Sequence, residues 1–154
     1  MKQRYEMDCS VAQTLNLIGD RWSMLILWGC ICGRQTYKEL QDALTGIPSN
    51  LLSERLKSLE RDGLLQSELY REHPPRYRYR PTEKGAALRD LFNCMILWAQ
   101  RYLPECGHRI AHQGCGGEVS MHYSCGVCGQ EIRSDAIAVS SAPSEDTPPS
   151  PPPE

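Results

Sequence analysis

Residues 36–63 read TYKELQDALTGIPSNLLSERLKSLERDG. Thr36 and Glu39 form a capping box that opens a short helix, TYKELQDAL. Gly46, Ile47 and Pro48 then break the pattern, and Ser49 is the expected N-cap of a second helix. Leu52, Leu56 and Leu59 share one stripe of that helix, and Gly63 stops it. Two helices joined by a tight break form a helix-turn-helix pattern, in which the second helix enters the DNA major groove. Away from the leucines lie Ser49, Asn50, Ser53, Glu54 and Lys57, short hydrogen-bonding groups plus one cation. Asn can pair bidentately with adenine, and Ser can serve base edges or a phosphate at the helix N-terminus. Thr36 and Lys38, on the preceding helix, complete the candidate DNA-contacting set on this side. Arg55 and Arg61 can reach phosphates or form ion pairs within the chain.

The flanking segments supply the rest of a fold. Upstream, Ser10 and Gln13 suggest a capping box for a helix ending near Gly19. RWSMLILWGCI (21–31) follows and is apolar nearly all round, as a central core helix should be. Downstream, LLQSELYR (64–71) and RYRYR (76–80) alternate with period two and are joined by EHPP, a hairpin with a proline-stiffened tip. Tyr77 and Tyr79 take one face, while Arg76, Arg78 and Arg80 recur about 7 Å apart on the other. Such a row can lie along a DNA backbone or dip into the minor groove. The competing reading pairs these arginines with Glu68 and Glu72 on a solvated hairpin. Thr82 then caps a long helix running to about Tyr102, with Leu88, Leu91, Phe92, Met95, Ala99 and Tyr102 on one stripe. Ile96, Leu97 and Trp98 widen that stripe to a second face, which a symmetric subunit commonly covers. The expected fold class is mainly α (α+β): a winged helix-turn-helix with a two-stranded β-wing and a long C-terminal dimerisation helix.

The remaining third differs in composition. Residues 1–104 hold 15 Lys and Arg against 12 Asp and Glu, whereas residues 105–154 hold 2 against 7. The net charge of -2 therefore hides a mildly basic first part. We divide the chain into a globular domain (1–104), a Cys/His/Gly-rich ribbon (105–139) and a disordered Pro/Ser-rich tail (140–154). No internal repeat is evident. No run of about 18 apolar residues suits a membrane span, and MKQRYEMDCS lacks the apolar core of a secretory signal. The expected location is the cytoplasm.

Of eight cysteines, Cys30, Cys32 and Cys94 sit in apolar runs as small hydrophobes. Cys106, Cys115, Cys125 and Cys128 crowd into 23 residues with three histidines, a metal-binding pattern in a reducing compartment. Cys125-x2-Cys128 and His112-x2-Cys115 offer the four N/S donors that structural zinc requires, with Cys106 and His108 in reserve. A disulfide between Cys125 and Cys128, or a reduced flap without metal, is the alternative. A thioredoxin-like enzyme would need a βαβ setting that is not evident, and no catalytic residues stand out. An adaptor role for the ribbon and PPSPPP could coexist with DNA binding. Trp22, Trp28 and Trp98 read as core, and an effector pocket would lie between the long helix and the core.

Three stretches, CSVAQTLNLIGDRWSMLIL (9–27), YKELQDALTGIPSNLLSERLKSLERDGLL (37–65) and PPRYRYRPTEKGAAL (74–88), resemble the HxlR-type branch of winged-helix regulators. The resemblance implies a homodimeric, DNA-binding regulator of bacterial transcription, with dimer contacts from the N-terminal segment and the long helix. It also implies a thiol at Cys9 that senses oxidants or electrophiles in some members, and some members carry a similar H-x2-C-G…C-x2-C-G extension. Asp20 departs from a frequent Gly, and Arg78 from a frequent acidic residue, which makes this wing more cationic.

Overall fold

The computed structural model describes residues 5–103, 105 and 107–139. Cys106 and the Pro/Ser-rich tail lie outside the described residues. The chain divides into two units, residues 1–110 and residues 111–154.

The first unit is ordered α1 (Ser10–Ile18), α2 (Arg21–Ile31), α3 (Tyr37–Ala43), α4 (Ser49–Arg61), β1 (Leu65–Arg71), β2 (Arg76–Pro81), α5 (Glu83–Ala87) and α6 (Arg89–Tyr102). The apolar helix α2 is central and packs against α1, α3, α4, α6 and β2. Its buried Ile26, Leu27 and Cys30 meet Leu40 of α3, the α4 stripe Leu52, Leu56 and Leu59, and Phe92 of α6. Burial pushes the Cys30 thiol up to about 12, so it behaves as a hydrophobe and not as a thiolate. The capping box on α3 forms as expected: Thr36 accepts from the Glu39 amide, and the Glu39 carboxylate accepts from the Thr36 amide.

β1 and β2 pair antiparallel, from Leu65 opposite Pro81 to Arg71 opposite Arg76, with an irregularity between Leu69 and Arg71. Tyr79 packs against the core. Its amide donates to the Gln35 carbonyl at 2.7 Å, and Thr36 bridges to Arg78. The residues just before α3 thus add a short third rung to the wing.

Three terminus expectations are corrected. Cys9, not Ser10, is the N-cap of α1, and Gln13 donates to the Met7 carbonyl instead of closing a capping box. Pro48, not Ser49, is the N-cap of α4; Ser49 is its first helical residue, and its hydroxyl accepts from Gln41 at 2.7 Å. The long helix from Thr82 is two helices broken at Leu88, whose amide bonds back to the Gly85 carbonyl in a tight turn. The cause lies in α5. Thr82 caps it, the Thr82 amide bonds to Leu64, and a Cβ on Gly85 would lie 2.0 Å from the Leu64 carbonyl oxygen. That close backbone approach holds α5 against the start of β1, and α6, beginning at Arg89, carries the buried Phe92.

The second unit carries β3 (Tyr123–Ser124) paired with β4 (Glu131–Ile132) and a 3-10 turn at Ser134–Ala136. Among the described residues no helix is long and apolar enough to cross a membrane.

Candidate nucleic-acid interface

The α4 side facing away from the core presents Ser49, Asn50, Glu54 and Lys57 as exposed residues, with Ser53 half-buried. The Ser53 hydroxyl donates to the Ser49 carbonyl one turn back, which keeps it close to the helix surface. The Asn50 carboxamide makes no hydrogen bond among the described residues. Glu54 and Arg55 approach to 3.5 Å, but the nearer partner of Arg55 is Asp20, at 3.3 Å and with both side chains half-buried. Arg55 is therefore a structural cation and not a free one. Arg61 lies 3.7 Å from Asp62.

Two residues that sequence reasoning did not single out position the start of α4. The Tyr37 hydroxyl donates to the Ser49 carbonyl at 2.8 Å, and Gln41 donates to the Ser49 hydroxyl. Both come from α3, and their only signal in the sequence is a place on the helix preceding the turn. Thr36 is half-buried with its hydroxyl committed to the cap, while exposed Lys38 forms an i,i+4 pair with Asp42 at 2.9 Å. An exposed pair of that kind contributes only some tenths of a kcal/mol, so a phosphate can replace it.

On the wing, the pairing register places Gln66, Glu68, Arg76, Arg78 and Arg80 on one face. The three arginines have different surroundings. Arg80 lies 3.7 Å from Glu68, as the solvated-hairpin reading expects for that residue. Arg78 is half-buried, with its guanidinium 5.3 Å from the Tyr70 ring centre. Arg76 is exposed near the tip. Arg71 donates to the His73 carbonyl. A cleft of about 390 Å³ runs between α3 and the wing and is lined by Thr36, Lys38, Tyr70, Arg76 and Tyr77 among others. One line of contacts thus connects the candidate residues, from Ser49 through Tyr37 and Gln41 to Thr36, and across the bridge to Arg78.

In the second unit, the two candidate pairs each sit on a turn of the same kind. In the first, the His112 amide donates to Gly117 O at 2.9 Å and the Gly116 amide to His112 O at 2.8 Å. In the second, the Cys125 amide donates to Gln130 O and the Gly129 amide to Cys125 O, each at 2.9 Å. Gly116 and Gly129, four residues after each first donor, adopt φ of 70° and 72°. A side chain there would be strained, which explains the Gly after each Cys. The turn is a local structural repeat that follows the repeated x2-Cys-Gly spacing of the sequence.

His112 Nδ1 lies 3.2 Å from Cys115 Sγ. Two donors on a tetrahedral zinc, with Zn–S near 2.3 Å and Zn–N near 2.1 Å, stand about 3.6 Å apart, so this pair fits an ion with little adjustment. The Cys128 and Val127 amides and the Cys128 thiol hydrogen-bond the Cys125 sulfur and hold its pKa below the ordinary thiol value. Among the described residues no three His, Cys, Asp or Glu side chains converge on one point. His108 belongs to the first unit, and Cys106 lies outside the described residues. His122 is held between Ser120 and Glu131. Cys9 is half-buried at the start of α1.

The comparisons with known proteins agree with this geometry. Residues 17–106 match the family model described as HxlR-like helix-turn-helix. An uncharacterised HTH-type transcriptional regulator of Mycobacterium bovis is 36% identical over 138 residues, covering 86% of this chain and 84% of its own length. The crystal structure of PA1607, a candidate transcription factor, is 31% identical with a TM-score of 0.74, covering 88% of this chain and 96% of that one. The reduced form of the transcriptional regulator YodB from B. subtilis, 33% identical, aligns with a TM-score of 0.53 over 66% of this chain and all of its own. With its helix-turn-helix, its wing and these relatives, the chain belongs to the HxlR-like family of transcriptional regulators.

Proposed function

We propose that this regulator binds DNA as a homodimer in the cytoplasm, with α4 in the major groove and the wing on the backbone or in the minor groove. The contiguous surface from Ser49 to Arg78 carries this reading, because it joins a groove-sized helix to a cationic hairpin. Support for the dimer comes from an exposed apolar stripe on α6: Leu91, Met95, Trp98 and Tyr102 are 38%, 47%, 57% and 54% accessible. On α1, Val11 and Leu15 are also exposed. Apolar patches of this kind mark association surfaces.

Selection from a random DNA pool tests the reading. A dimer should enrich an inverted repeat whose half-sites are centred about 34–36 Å apart or a multiple of that. Asn50→Ala should relax preference at one or two base pairs, by about 1–3 kcal/mol, and Trp98→Glu should yield monomers in sedimentation. Failure to enrich any sequence overturns the proposal.

We further propose that His112, Cys115, Cys125 and Cys128 hold a structural zinc ion. The support is the repeated turn and the donor chemistry. Four protein donors leave no open position for catalysis, so the ion would hold the small ribbon together.

A further inference from the structure

We propose that the crevice between α2 and α6 binds a small aromatic carboxylate that acts as the effector of this regulator. The cavity measures about 520 Å³, within the range of small-molecule sites. Its wall includes Trp28 and Phe92, whose ring centres are 5.2 Å apart and tilted by 38°, and the flexible Met24. Ala99 contributes almost no bulk, which keeps the space open. A flat ring gains aromatic contact from the first two and an adaptable wall from the thioether.

Charge selects the ligand's sign. His108 and Arg109 are the ionisable residues on the wall, and among the described residues no Asp or Glu lines it. A cation would meet Arg109 with no compensating acid. A neutral ring would leave the guanidinium without a partner from the ligand. A carboxylate can accept two parallel N–H bonds from it while the ring stays in the apolar part.

The location suggests how binding would be transmitted. Met95 lines the cavity and also belongs to the exposed stripe of α6. A ligand wedged between α2 and α6 therefore presses on the helix that carries the subunit face, and so on the separation of the two DNA-reading helices. This transmission rests on the dimeric regulator reading; binding itself does not.

Isothermal calorimetry on the full chain tests the site with 2-naphthoate, the neutral 2-naphthamide and the cationic 2-naphthylmethylamine. One naphthoate should bind per chain, about tenfold or more tighter than the amide, the low end for a hydrogen bond to a charged group. The amine should not bind. Arg109→Gln should reduce naphthoate affinity to that of the amide, and Ala99→Phe should abolish both. Should Ala99→Phe fail to fold by circular dichroism, Arg109→Gln and the amide still decide. No naphthoate binding up to about 1 mM, equal binding of the amide, or full affinity in Arg109→Gln overturns the site. A second measurement, the affinity for selected DNA with and without naphthoate, isolates regulation. Tight ligand binding with unchanged DNA affinity sinks the effector role alone, whereas absent DNA binding without ligand sinks the regulator reading instead.

Discussion

Arg55 Nε lies 3.3 Å from Asp20 Oδ1, and the same carboxylate oxygen accepts from the Ser23 amide as the N-cap of α2. One side chain thus starts the central helix and ties α4 to it. Both partners are mostly shielded from solvent, so removing either leaves a poorly solvated group behind.

Asp20→Ala should therefore cost more than a cap alone. Loss of the cap contributes about 1 kcal/mol, and a partly shielded guanidinium left with Glu54 alone about 1–3 kcal/mol. Urea denaturation should show a loss of about 2–4 kcal/mol. Adding Arg55→Met should cost less than the sum of the two single changes. Strict additivity would show that the pair is not coupled.

The wing predicts a graded response. Arg76→Ala with Arg78→Ala should weaken binding to all DNA sequences and flatten the salt dependence by about two units. Arg80→Ala should change the slope less, because Glu68 already sits 3.7 Å from that guanidinium. An unchanged slope in the double variant would remove the wing from the interface.

Metal content tests the ribbon. Purified chain should carry one zinc per subunit, and Cys125→Ser should lose it, as read by mass spectrometry of the metal. Gly129→Ala should weaken retention by straining the turn at φ 72°. Metal kept in Cys125→Ser would point to Cys106 or His108 as a ligand.

The capping box gives a pH signature. The backbone amides of Thr36 and Gln35 and the Thr36 side chain hydrogen-bond the Glu39 carboxylate and lower its pKa from 4.5. A lowered folded-state value stabilises the protein fully above the unfolded value near 4.5 and loses that contribution as pH falls through the folded value. Glu39→Gln should therefore be less stable than the parent at pH 7, with the gap closing below that window. A gap that persists unchanged into acid would deny the carboxylate this role.

Local signals carried much of the fold. The Thr36–Glu39 box, the Gly46–Pro48 break, the leucine stripe of α4 and the two-residue alternation of the hairpin each depend on residues close in the chain. What could not be read depends on distant approach. Asp20 meets Arg55 across 35 positions, and nothing periodic links them. The break at Leu88 follows from the Leu64 carbonyl facing Gly85, which only the packed structure supplies. The Gln35–Tyr79 rung is too short to leave a pattern. Within the candidate site, the outward placement of Asn50 and Arg76 was legible from residue spacing. The engagement of Arg78 with Tyr70, and of Ser49 with Tyr37, was not.

That short rung has a protective consequence. A two-stranded hairpin leaves each strand one unpaired edge, and such edges template pairing with other chains. Residues 35 and 36 occupy part of the outer edge of β2. The cover therefore shortens the edge along which two copies of this chain could zip together.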